Sequence, residues 1–254
     1  MLIPVSSSAT PAAGVTPGFD LRPGNVVAYV TPSFSGAQAA LAYVTGVSSV
    51  AYADGNNTAV GGADNNKLSA VSLDATYTNG PIYAGFAYER HNTKDLMGGA
   101  AGSSDPSAWR LGGSYTYGPA KVGMMWEQIK AADLIDEKRS GATLFGTYGI
   151  GAETIKVAYT FVGNWKGTTS TAAAAATAGY ATKANLLALG VDHSFSKRTT
   201  AYAQYTKLTN KGDKTSAVDG ANYSLGGGGG FGNPVATGVG DAPSAVSVGL
   251  IHKF

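Results

Sequence analysis

The sequence predicts an all-β protein, a transmembrane antiparallel up-and-down β-barrel with about 11 strands present. Three observations carry this. Apolar residues recur with period two in segments of about ten residues. Short turns bearing Gly, Pro or Asn alternate with long segments of small residues. Tyr and Trp gather near strand ends on the apolar parity, as interfacial girdles do.

The strands are read in order. "NVVAYVT" (25–31) and "AQAALAYVTG" (37–46) come first, then "KLSAVSLDATYT" (67–78) and "IYAGFAYER" (82–90). "AWRLGGSYTY" (108–117), "AKVGMMWEQIK" (120–130), "SGATLFGTYGI" (140–150) and "TIKVAYTFVGN" (154–164) follow. "ANLLALGVDHSFS" (184–196), "TTAYAQYTKLT" (199–209) and the terminal "SAVSVGLIHKF" complete the set. The tight connections are "PSFSG", "NGP", "GP", "GAE" and "SKR". Between them lie long connections near 47–66, 91–107, 131–139, 165–183 and 210–242. Short turns at one end and long loops at the other are the pattern of a membrane barrel. A soluble sandwich rarely sustains loops of that length.

Composition excludes other classes. The chain has 254 residues, with 36 Gly and 14 Tyr, and only 13% charged residues against roughly 25% in soluble proteins. No apolar run approaches the roughly 18 residues of a transmembrane helix, although mean hydropathy is near neutral at −0.02. A net charge of +2 with no basic patch gives no reason to expect nucleic acid. The absence of Cys removes disulfides, thiolate metal sites and thiol nucleophiles. The opening "MLIPVSSSATPAAGVTPGFD" lacks the basic and apolar regions of a signal peptide. "LGGGGGFG" (225–232) lacks the Gly-Lys-Ser/Thr of a phosphate cradle and reads as a loop, as does the Ala-rich "TSTAAAAATAG" (169–179).

Parity assigns two faces. Trp109, Leu111, Tyr115 and Tyr117 oppose Arg110, Ser114 and Thr116; Val122, Met124 and Trp126 oppose Lys121, Met125 and Glu127. Tyr43, Tyr77, Tyr88, Tyr148 and Tyr159 join the apolar set. In a membrane barrel this set faces lipid and the small, polar set faces water. The tenth strand is ambiguous, because Tyr202 and Tyr205 have opposite parity; the reading turns Tyr202 inward.

Three stretches resemble a known family. "FDLRPGNVVAYVTPSFSG" (19–36), "LGVDHSFSKRTTAYAQY" (189–205) and "SVGLIHKF" (247–254) are similar to segments of the Gram-negative outer-membrane general porins, the trimeric family of beta-proteobacterial type. The resemblance covers 19–254, with variable loops. It implies a 16-stranded barrel in which these strands are numbers six to sixteen. It implies a single β-barrel domain over 1–254, partial, with 1–22 the remnant of an inward-folded constriction loop. The family's signal peptide, first strands and acidic eyelet motif are not visible. On that reading the chain is an N-terminally truncated porin. Eleven antiparallel strands cannot close without a parallel seam, so the chain expressed alone is expected to aggregate rather than insert.

The resemblance further implies an outer-membrane location and a water-filled channel for passive diffusion of ions and small hydrophilic solutes, with weak anion preference. It implies a homotrimer, contact with outer-membrane lipid and lipopolysaccharide, and no cofactor. Phe254 would be the signal that the barrel-assembly machinery reads. Parity places Arg110, Lys121, Lys156, Asp74, Glu89, Glu127 and Asp192 on the pore lining, and Arg22 joins them by family analogy. Catalysis is not expected: Asp192 and His193 adjoin in sequence and so point to opposite faces, and no metal-ligand spacing appears. The alternatives are a non-conducting barrel acting as adhesin or receptor through its long loops, or a non-functional fragment.

Overall fold

The structure is a computed structural model that describes residues 25–45, 69–92, 105–130, 138–164, 166, 183–211 and 240–254. Eleven strands form one sheet in sequence order, every neighbouring pair antiparallel. They are β1 (Val26–Val30), β2 (Ala37–Thr45), β3 (Ser69–Asn79), β4 (Ile82–Asn92), β5 (Ser107–Tyr117) and β6 (Ala120–Lys130). β7 (Lys138–Ile150), β8 (Glu153–Val162), β9 (Ala184–Ser194), β10 (Thr199–Asn210) and β11 (Ser244–His252) complete it. β1 and β11 are the two edges and run in the same direction. No ladder joins them among the described residues.

The tight turns set the register. Gly80, Gly118 and Gly151 each open a two-residue loop with φ between 54° and 62°. That is the first position of a II′-type hairpin, whose twist matches the strands it joins. Each strand therefore starts in a fixed phase, and a one-residue slip would exchange its two faces. Gly36 closes the first hairpin at φ 85°, and a Cβ there would lie 1.9 Å from the Thr78 carbonyl oxygen on β3. Gly36→Ala is thus expected to destabilise the sheet by about 2 kcal/mol, read as a lower urea midpoint at unchanged slope.

The faces differ in exposure as well as in chemistry. Leu73, Leu111, Val122, Met124, Leu144, Ile155, Val157, Leu189, Val248 and Leu250 all share one parity and all are exposed. Val44, Ala70, His91, Arg139, Ala184, Thr206, Leu208 and Asn210 share the other parity and are buried. A sheet one layer thick shows this asymmetry when it curls with the small, polar parity inside. The arrangement inverts a soluble core, where apolar side chains are the covered ones, and it is that of a barrel bathed in hydrocarbon.

Tyr202 pairs with Asp192 and Gly249, and Tyr205 pairs with Leu189 and Val246. Tyr202 therefore turns inward, as its parity predicts. Most strand ends differ from the sequence reading by one or two residues. β7 begins at Lys138 rather than at 140, because Lys138 pairs with both Lys130 and Lys166. β11 ends at His252, with Lys253 donating one further backbone bond to Arg198. Segments 1–22, 169–179 and 225–232 lie outside the described residues.

Candidate functional site

The inward face carries the charges. Counted outward from the Gly118–Pro119 turn, Arg110 on β5 falls opposite Glu127 on β6. The guanidinium donates from Nη2 at 2.8 Å and from Nε at 3.2 Å to the same oxygen, Glu127 Oε2. Charge-assisted bonds of this kind are the stronger ones. The same ladder row continues through Ala87 to Asp74 on β3. Two strand spacings put Asp74 about 10 Å from Arg110 along the row.

A second charged level lies nearer the tight turns. Lys121 on β6, Thr147 on β7 and Lys156 on β8 share a row. Lys156 Nζ binds Asp192 Oδ2 on β9, one row further along. Lys121 is exposed on the inside and meets no carboxylate among the described residues. At the loop end of β4, His91 Nε2 lies 2.5 Å from Glu89 Oε1, with the His91 side chain buried. Between these levels the Thr143 and Thr160 hydroxyls bond each other at 2.8 Å.

Seven of the sequence-predicted lining residues therefore lie on described strands and share the inward parity: Asp74, Glu89, Arg110, Lys121, Glu127, Lys156 and Asp192. Arg22 lies outside the described residues. The structure brings Arg110 to Glu127 and Lys156 to Asp192, and it leaves Asp74 and Lys121 apart from both pairs. Phe254 is fully exposed beyond β11, its ring edge-on to His252 at 5.0 Å.

Asp192 and His193 separate as neighbours on a strand must. Asp192 turns inward to Lys156, while His193 Nδ1 sits 2.9 Å from Glu153 Oε1 on the outward face. The Thr199 hydroxyl meets His252 Nδ1 at 2.9 Å, also on the outward face. None of these contacts aligns a nucleophile, a base and an acid on one side.

Sequence reasoning missed two features of the inner wall. Arg139 enters it because β7 starts two residues early. Tyr83 and Phe145 also point inward: Phe145 lies over Gly123, where a Cβ would be 2.3 Å from its Cζ. The signal was available in their parity, which matches Glu89 and Thr143, but aromatics had been sought on the apolar face.

A family model described as Gram-negative porin matches residues 3–213. Among solved structures, OmpT of Vibrio cholerae is similar at a TM-score of 0.54 and 17% identity, covering 89% of this chain and 64% of that one. OmpF of Salmonella typhi, in a complex with daunomycin, gives 0.52 and 11%, covering 89% and 61%. The outer-membrane channel DcaP of Acinetobacter baumannii gives 0.50 and 14%, covering 72% and 56%. At these identities the likeness is one of fold, and the chain spans less than two thirds of each structure's length. No curated protein matches.

Proposed function

The chain belongs to the Gram-negative porin family, and on that premise we propose that it forms the wall of an outer-membrane channel through which ions and small hydrophilic solutes diffuse. The observation that carries the reading is the inversion of faces: exposed Leu, Val and Ile outside, charged and hydroxyl side chains inside. A wall of that kind conducts only if water fills the space it lines, and lumenal charge then sets the field that an ion meets.

The wall supports weak selectivity. Arg110 is offset by Glu127, and Lys156 by Asp192. Asp74 shares its row with Arg110, while Lys121 has no carboxylate at hand among the described residues. We read Lys121 as the residue that tilts the balance toward anions. In keeping with the family, the working unit is proposed to be a homotrimer, with Phe254 offered to the assembly machinery and lipopolysaccharide around the rim. No catalytic step enters this reading.

Planar bilayers test it. The protein, expressed from its complete reading frame, is expected to give discrete conductance steps; a silent adhesin would give none. Lys121→Glu is expected to move the anion-to-cation permeability ratio roughly threefold or more toward cations, since one charge about 7 Å from an ion in water is worth about 0.6 kcal/mol. An unchanged reversal potential removes Lys121 from the selectivity assignment.

A further inference from the structure

Three phenyl or phenol rings share the inward parity among the described strand residues: Tyr83 on β4, Phe145 on β7 and Tyr202 on β10. Each lies against a glycine. A Cβ built on Gly85 would stand 3.2 Å from Tyr83 Oη, one on Gly123 would stand 2.8 Å from Phe145 Cε1, and one on Gly249 would stand 2.6 Å from Tyr202 Cζ. Glycine in a strand often marks such a close approach. Bare backbone lets a ring lie along the wall, with its other side toward the space the wall encloses.

The surroundings of the three rings differ. Tyr202 pairs across the ladder with Asp192, whose carboxylate binds Lys156. Tyr83 pairs with Thr78 and Ser114, and the carboxylate of its own strand's inner face is Glu89. Phe145 lies beside a cation instead. Its ring reaches across from β7 to cover Gly123 on β6, and Lys121 stands two residues along β6 on the same face. Two strand residues span about 7 Å, within reach of a lysine arm. Lys121 is exposed and meets no carboxylate among the described residues. Its ladder partners on either side are Thr116 and Thr147, both inward and both bearing hydroxyls. On the far side of Gly123, the half-buried Met125 extends the apolar surface of the ring.

We propose that Phe145 and Lys121, flanked by Thr116 and Thr147, form a seat on the inner wall for small aromatic carboxylates. The arene of the solute packs against Phe145. Its carboxylate meets the Lys121 ammonium and accepts a hydrogen bond from a threonine hydroxyl. Paired rings gain beyond the area they bury, whereas one ion pair in water gains little by itself. Ring and charge are therefore both needed, which separates this solute class from aliphatic acids and from aromatic amines. The seat is filled at millimolar concentration and vacated quickly, as a conducting wall requires. The proposal rests on the reading of the inner face as a water-filled lumen, and it gives the anion preference assigned to Lys121 a chemical class of anion.

The test reads binding without conduction. The protein, expressed from its complete reading frame and held in detergent micelles, is titrated with 4-fluorobenzoate, and the fluorine line width is followed against empty micelles. Trifluoroacetate supplies the charge without the ring. 4-Fluorobenzylammonium supplies the ring with the opposite charge. Fluorobenzoate is expected to bind, and each of the other two at least about threefold more weakly. Phe145→Leu is expected to weaken fluorobenzoate binding roughly fivefold. Lys121→Gln, an exposed change that keeps the ring in place, is expected to weaken it roughly fivefold as well. Tyr202→Leu, which removes an inward ring remote from Lys121, is expected to bind as the parent does.

Equal binding of trifluoroacetate would reduce the seat to a lone ammonium and overturn the proposal. Equal binding of fluorobenzylammonium would reduce it to an apolar surface, with the same consequence. Unchanged affinity in folded Phe145→Leu or Lys121→Gln would place the ligand elsewhere and overturn it too. Binding with a silent planar bilayer would fail the channel reading and leave the seat standing. Conductance steps without binding would fail the seat alone.

Discussion

Leu144→Arg is expected to cost the barrel about 2–4 kcal/mol, the penalty for a guanidinium on the lipid face near the bilayer midplane. Leu144 is the central residue of β7 (Lys138–Ile150) and shares its row with Met124 and Tyr159. Its side chain is 53% exposed in the protein alone, so lipid is the remaining cover. The inward substitution Met125→Arg is the matched control. Met125 is on the adjoining strand, pairs with Gly112 and Thr143, and sits two residues from Glu127 on the same face. It is expected to shift stability by less than about 1 kcal/mol, because lumen substitutions tune selectivity rather than stability. Urea titration in bilayers reads both. Equal costs at Leu144 and Met125 would contradict the assignment of faces on which the channel reading depends.

Breaking one inward ion pair is expected to change selectivity more than removing the whole pair. Arg110→Gln leaves the Glu127 carboxylate alone on the wall, and permeability is expected to move roughly threefold toward cations. Glu127→Gln is expected to move it by a similar factor toward anions. The double variant returns close to the parent, because Arg110 and Glu127 offset each other at 2.8 Å. Reversal potentials of the parent, the two single variants and the double variant read this compensation. A double variant that departs from the parent as far as either single variant does would mean that the two charges do not offset each other.

Much of this was legible before any coordinates. Alternation supplied the strands and both faces, since side chains reverse with each residue. The Gly118–Pro119 turn even fixed which residues face across its hairpin, so the Arg110–Glu127 contact could have been counted from sequence. The Lys156–Asp192 contact could not, because the connection between β8 and β9 is long and does not determine register. Strand ends were less legible than strand centres. Lys138 and Arg139 follow a polar stretch, and only pairing with β6 shows that the ladder has already begun. Inward aromatics such as Phe145 escaped because a ring over Gly123 is stabilised by bare backbone, a local fit that no hydropathy pattern announces.

The pairing of Arg110 with Glu127, and of Lys156 with Asp192, has a consequence for what a traversing particle feels. Two opposite charges held together act as a dipole lying along the wall. Its potential falls with the square of distance, faster than that of a lone charge. In the proposed channel such pairs would add little to the field at a distance from the wall. A solute carrying both an amine and a carboxylate still meets the local field when it brushes the wall, and that field turns it rather than holds it. Orientation without retention is what the proposed diffusion channel would ask of its wall.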